Sequence, residues 1–261
     1  MKSIRIRDLQ KKKAKSEPIT MLTCYDAMFA KILDSSGVDI LLIGDTLGMV
    51  VQGQETTLGV TLEDIAYHTR MVARGAQRAH IVADMPFMTY QHDIKEAMQN
   101  AAKLLVAGAH SVKLEGGTPM ASTVKALTEV GVPVMGHVGL TPQSVHALSG
   151  YRTQGKTDES RKRILEDAMA LEAAGAYAVV LECVPESLAQ EITRMLQIPT
   201  IGIGAGPACD GQVLVIYDLL GFNPEFKPKY LKTYLNGAAL IQQACEKYVT
   251  EVRQRVFPPM E

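Results

Sequence analysis

The chain has no long apolar run, little cysteine and almost no net charge, and each shortage removes a class of function. Its longest apolar runs are strand-length, well short of the roughly 20 residues of a membrane-spanning helix, so no membrane partner is expected. The basic start MKSIRIRDLQKKKAKSEPI lacks an apolar h-region, which argues against a secretory signal. Charge alone does not exclude a mitochondrial presequence, against which Asp8 and Glu17 count, and the lysine run 11–13 reads as a solvated face. Cys24, Cys183, Cys209 and Cys245 form no CxxC pair and no zinc spacing. They read as free thiols of a cytoplasmic protein, not as redox or structural-metal groups. A formal net charge of −1 gives no reason to expect nucleic acid or an anionic membrane surface.

What is present is a repeating pattern. Six apolar runs each end in an ionisable residue: LLIGD at Asp45, IVAD at Asp84, SVKLE at Glu115, VPVMGH at His137, AVVLE at Glu182 and VLVIYD at Asp218. Continuous apolar runs of this length read as strands buried on both faces, as in a parallel sheet covered by helices. Gly37, Gly75, Gly108, Gly131 and Gly175 each follow a helix-like stretch and precede a strand-like one, where glycine closes the last helical turn. Strands are expected near 19–25, 39–45, 80–85, 111–116, 132–138, 177–183, 198–203 and 212–218. Thr61 and Asp64 make a capping box ahead of one helix. The stretch NGAALIQQACEKYVTEVRQRV reads as a terminal helix stopped before Pro258-Pro259. The chain has 261 residues, close to the roughly 250 of an eight-stranded α/β barrel. Residues 1–261 are therefore expected to form a single (β/α)₈ TIM barrel with an extra N-terminal segment and a C-terminal helix.

Strand-end acids would share one rim of such a barrel, where like charges repel unless a cation or proton compensates. Asp45, Asp84 and Glu115 come from neighbouring strands, and oxygen-only ligands select hard cations such as Mg²⁺. Singly, each acid reads equally as a helix cap or turn residue. Lys113 shares a strand face with Glu115. It would hold a substrate carboxylate or a developing oxyanion, or form a structural ion pair with Glu115. Glu182 follows the apolar run AYAVVL, whose dryness would raise a carboxyl toward the range of a useful base; a partly buried glutamate paired to a lysine is the competing reading. His137 would donate to substrate or orient a carboxylate, or be a satisfied core residue. The run GIGAGPACDG is either a weak phosphate-cradle signal, since it lacks the full GxGxxG pattern followed by a helix, or a glycine-lined turn that gives a ligand close backbone approach. Two long connections, GMVVQGQETTLG and GLTPQSVHALSGYRTQGKTDES, follow strand ends on the catalytic side and read as lids.

GDTLGMVVQGQETTLGVTLEDIAYHT, ADMPFMTY, VKLEGG, PVMGHVGLTPQSV, GYRTQGK, LECVP and IGIGAG-x-x-x-DGQ together resemble the ketopantoate hydroxymethyltransferase family, in register from about residue 20 to 220. The resemblance implies a barrel, typically a homodecamer in bacteria. It implies a chain that adds a one-carbon unit from 5,10-methylenetetrahydrofolate to 3-methyl-2-oxobutanoate through a Mg²⁺-stabilised enolate, giving 2-dehydropantoate for pantothenate synthesis. By motif it makes Asp45, Asp84 and Glu115 the metal site and Asp45, Thr46, Asp84 and Lys113 the keto-acid contacts. Glu182 corresponds to the proton acceptor, while His137 is a candidate helper at the substrate from its place on the rim and not from the motifs. The family often has serine where this chain has Thr46, which keeps the hydroxyl and adds a methyl. An enzyme of the phosphoenolpyruvate mutase/isocitrate lyase type is the nearest alternative. Those lyases carry a nucleophilic cysteine in a lid motif such as KKCGH, and no such string occurs here. A non-catalytic keto-acid sensor is the other alternative, but it has no physical need for five charged groups on one rim.

Overall fold

The computed structural model describes residues 3–259, and the chain divides into two compact units between Leu214 and Val215. The first unit runs through α1 (Ile6–Ala14), β1 (Ile19–Thr23), α2 (Ala27–Ser35), β2 (Ile40–Ile43), α3 (Leu47–Val50), α4 (Leu62–Gly75), β3 (His80–Asp84) and α5 (Ile94–Val106). It continues with β4 (Ser111–Lys113), α6 (Ala121–Glu129), β5 (Val134–Gly139), α7 (Asp158–Ala173), β6 (Ala178–Glu182), α8 (Glu186–Met195), β7 (Thr200–Ile203) and β8 (Gly211–Leu214). Each strand pairs in parallel with its sequence neighbours, and β8 returns to β1 to close the barrel. Every residue of β2 and of β3 is buried, the expected state of strands with a packed interior inside and helices outside. This is a (β/α)₈ TIM barrel, as the alternation of apolar runs and glycine-ended helices implies.

The helix ends follow local chemistry. At α4, Thr61 Oγ1 accepts the Asp64 N–H at 3.2 Å while the Asp64 carboxylate accepts the Thr61 N–H at 2.9 Å, the reciprocal pair that satisfies two open donors. Gly108 and Gly175 turn out of their helices at φ +114° and +94°, a region that β-carbons disfavour. Gly75 differs from that expectation. It is the last residue of α4, and a β-carbon there would sit 2.2 Å from the Ala27 carbonyl oxygen. Its smallness lets α4 and α2 approach closely.

The N-terminal segment closes the barrel from below. Leu9 of α1 joins Ile19, Met21, Ile40, Leu42, Val82 and Ile201 in one buried cluster. The lysine run is not simply solvated. Lys12 Nζ lies 2.9 Å from Asp39, just before β2, and Lys13 Nζ lies 2.7 Å from Asp210, just before β8. Charges at these strand starts hold α1 in register across the barrel floor, a pairing between distant residues that local sequence does not reveal.

Above this floor His80 Nε2 lies 3.0 Å from Ser111 Oγ, which lies 2.9 Å from the Tyr177 hydroxyl. Burial, helped by the neighbouring His110, pushes the His80 pKa down to about 4. The unfolded chain binds that proton near pH 6.5, so the folded state prefers neutral His80. This contribution is complete above pH 6.5 and is lost as pH falls from there toward 4. From pH 7 to pH 5 the loss is roughly 2 kcal/mol. Urea unfolding at the two pH values should show it, and His80→Gln should flatten that part of the profile. An equally steep profile in the variant would assign the acid sensitivity elsewhere.

The sixth apolar run does not end as expected. β8 stops at Leu214, and Ile216–Leu219 forms α9, so Asp218 sits on a helix and not at a strand end. A short apolar run suits a buried strand or a buried helix equally, and periodicity does not separate them. Burial raises the Asp218 pKa to about 6. In this second unit the Tyr234 N–H donates to the Leu219 carbonyl at 2.8 Å, and α10 (Gly237–Arg253) is the terminal helix read from the sequence. Among the described residues no helix is long and apolar enough to cross a membrane.

Candidate active site

Parallel register brings the strand-end residues to one rim. Asp84 and Glu182 are the last residues of β3 and β6. Asp45 and Glu115 lie just beyond β2 and β4, whose ordered pairing ends at Ile43 and Lys113. His137 is inside β5, paired with Val180. Asp84 and Lys113 are register partners on β3 and β4, which places Lys113 Nζ 3.0 Å from Asp84 Oδ1 and 3.9 Å from Glu115 Oε1. The Asp45 N–H donates to Asp84 Oδ2 at 2.9 Å. His137 bridges the two sides of the mouth, with Nδ1 3.5 Å from Glu115 Oε1 and Nε2 3.2 Å from Glu182 Oε2.

The electrostatics are those of a buried, acid-rich cluster. Burial pushes the Asp45 carboxyl well above the usual carboxylate range, and the Asp84 and Glu115 charges push it further. Burial also raises Asp84, against the pull of Lys113 and the Asp45 N–H. Glu115 goes the other way: its burial is outweighed by the His137 hydrogen bond and charge, then by Lys113, so its pKa is lowered. Burial opposes the Lys113 charge, yet Asp84, Glu115 and Asp45 raise its pKa and hold it protonated. Burial and Lys113 likewise oppose protonation of His137, but Glu115 and Glu182 raise its pKa to about 9.

Glu182 is less enclosed than its apolar run suggests. Its side chain is 16% exposed, against 2% for Asp84 and 3% for Glu115, and its partner is the imidazole of His137, not a lysine. Thr46 opens α3, and its Oγ1 lies 3.5 Å from the Tyr25 hydroxyl.

Two site residues escape a reading by strand ends. Gln143, in the short 3₁₀ turn Pro142–Ser144 after β5, is 4% exposed and donates from Nε2 to Asp45 Oδ2 at 2.9 Å. Tyr90, 1% exposed, donates its hydroxyl hydrogen to Gln143 Oε1 at 2.7 Å and accepts the Glu115 N–H at 3.0 Å. The only sequence signal for either was membership of the strings PVMGHVGLTPQSV and ADMPFMTY. The expected lid after β5 therefore begins as a buried part of the site. Farther along it Tyr151 is exposed, with its hydroxyl 3.8 Å from Met49 Sδ on the connection after β2. The GIGAGPACDG turn folds on itself: Gln212 Nε2 donates to the Gly206 carbonyl at 3.0 Å, and Asp210 accepts the Thr200 N–H at 2.8 Å.

The donor set fits a hard cation. Asp45, Asp84 and Glu115 are buried carboxylates with one lysine among them, and Asp84 Oδ1 has no hydrogen-bond partner among the described residues despite its ion pair with Lys113. Among the described residues no three His, Cys, Asp or Glu groups stand as a ready-made metal cage. Mg²⁺ does not require one, since it is usually held by one or two carboxylates with water and substrate completing its shell.

The sequence pattern of the ketopantoate hydroxymethyltransferase family matches residues 3–260. The chain is 55% identical over 250 residues to the 3-methyl-2-oxobutanoate hydroxymethyltransferase of Syntrophus aciditrophicus, an alignment spanning 95% of this chain and 92% of that one. It is 51% identical over 254 residues to the enzyme of the same name from Geobacter metallireducens, across 97% of this chain and 95% of that one. Among solved structures, the phosphoenolpyruvate phosphomutase of Streptomyces platensis subsp. rosaceus superposes with a TM-score of 0.66 at 13% identity, over 96% of this chain and 88% of that one. A likeness at that identity speaks for a shared barrel fold alone. With the family pattern spanning almost its whole length and relatives above 50% identity, this chain belongs to the ketopantoate hydroxymethyltransferase family.

Proposed function

We propose that this chain transfers a one-carbon unit from 5,10-methylenetetrahydrofolate to 3-methyl-2-oxobutanoate, giving 2-dehydropantoate and tetrahydrofolate. One observation carries the reading beyond family membership. Three buried carboxylates and one buried lysine share the rim with Glu182, a more open carboxylate that His137 links to Glu115. Asp45, Asp84 and Glu115 would hold Mg²⁺, which when bound supplies a Lewis acid for the keto oxygen.

The chain's own groups supply the rest. Thr46 Oγ1 and Lys113 Nζ bind the keto acid's oxygens. Glu182 removes the proton from C3, and the Lys113 cation offsets the negative charge that this leaves on the enolate oxygen. His137, touching Glu182 and Glu115, fixes the base relative to the carboxylates. Water adds to the folate-borne carbon and both carbon–nitrogen bonds break, the nitrogens taking up the proton released from C3 and one from water; C3 bonds to the freed carbon, whose oxygen becomes the hydroxyl. A cytoplasmic homo-oligomer belongs to the same proposal.

The test is direct. Purified protein given Mg²⁺, 3-methyl-2-oxobutanoate and 5,10-methylenetetrahydrofolate should form 2-dehydropantoate, read by mass spectrometry, and chelation should stop it. A folded protein that forms no product under these conditions would refute the proposal.

A further inference from the structure

Gln143 and Tyr90 make a hydrogen-bonded brace that the rim acids alone do not require. The Gln143 amide has every bonding position filled. Its Nε2 donates to Asp45 Oδ2 and to the Met85 carbonyl, both at 2.9 Å. Its Oε1 accepts from the Tyr90 hydroxyl at 2.7 Å and from Gln91 Nε2 at 3.1 Å. Its main-chain N–H donates to Glu115 Oε2 at 2.9 Å. Tyr90 completes the circuit, since its hydroxyl lies 3.0 Å from both the carbonyl and the N–H of Glu115.

This arrangement fixes the amide's orientation. Two donors face two acceptors, and one oxygen faces two donors; a carboxylate in the same place would turn an oxygen toward Asp45 and the Met85 carbonyl. One residue thus ties carboxylates from two different strand ends to the connection after β5. We propose that Gln143, locked by Tyr90, is the positioning residue that sets the Asp45 and Glu115 carboxylates in cation-binding orientation. The inference rests on the proposed cation role of those acids. Hydrogen bonds behind metal ligands orient them, and their loss typically weakens binding 10–100-fold.

Gln143→Met keeps the side chain's length and removes all of its polar contacts, leaving the main-chain N–H on Glu115. Titration of the full-length protein with Mn²⁺, read by electron paramagnetic resonance, should show binding about ten-fold or more weaker than wild type. The spectral line shape of the bound ion should also change, while circular dichroism stays that of the wild type. Tyr90→Phe serves as the second variant if Gln143→Met does not fold, and should weaken binding in the same direction by a smaller factor. Wild-type affinity and line shape in a folded variant would overturn the brace and leave the proposed function standing. A wild-type protein that binds no Mn²⁺ would overturn both.

Discussion

Glu182→Gln should abolish exchange of the C3 proton of 3-methyl-2-oxobutanoate in D₂O, followed by proton NMR with Mg²⁺ present and no folate. Glu182 stands out among the rim carboxylates by its freedom. Asp84 is engaged by Lys113 and the Asp45 N–H, and Glu115 by His137 and the Gln143 N–H. Asp45 accepts from Gln143. Among the described residues Glu182 has one neighbour at ion-pair distance, His137, and its side chain is partly exposed. Removing a general base typically lowers the rate by about 10²–10⁴-fold, while the amide keeps the size of the side chain. Exchange at the wild-type rate in this variant would exclude Glu182 as the base. His137→Gln should give a smaller loss, because it removes the group that orients Glu182 and leaves the carboxylate in place.

The sequence already placed most of this site. Parallel strands are read as continuous apolar runs because both faces are covered, and each run's first polar residue marks the rim. That logic located Asp45, Asp84, Glu115 and Glu182, although Asp45 and Glu115 fall just past the ordered strands. It failed at Asp218 because an apolar run carries no period to separate strand from helix. It was silent on Gln143 and Tyr90, whose importance comes from contacts across 28 and 25 residues of chain to Glu115. A glutamine after a proline and a tyrosine in a loop look like ordinary turn residues until the barrel brings them to the acids. The same limit hid the pairing of Lys13 with Asp210, which joins the two ends of the barrel's sequence.

Lys113→Met should have the largest combined effect on stability and activity. Lys113 is 4% exposed and lies at 3.0 Å from Asp84 and 3.9 Å from Glu115. Its removal leaves buried carboxylates without their nearest cation, and breaking a buried pair from one side typically costs about 3–5 kcal/mol. In metal-free protein the loss should appear as a lower urea midpoint, provided the chain still folds. Activity should fall too, because a methionine cannot offset charge on the enolate oxygen. If the ion and Lys113 both compensate the same carboxylates, Mg²⁺ should raise the melting temperature of Lys113→Met more than that of the wild type. Binding that favours the folded state stabilises it by mass action, and the variant offers the ion a site with one less positive charge. A gain in the variant no larger than in the wild type would mean that lysine and cation act on different carboxylates, and the shared-charge account of this rim would fail.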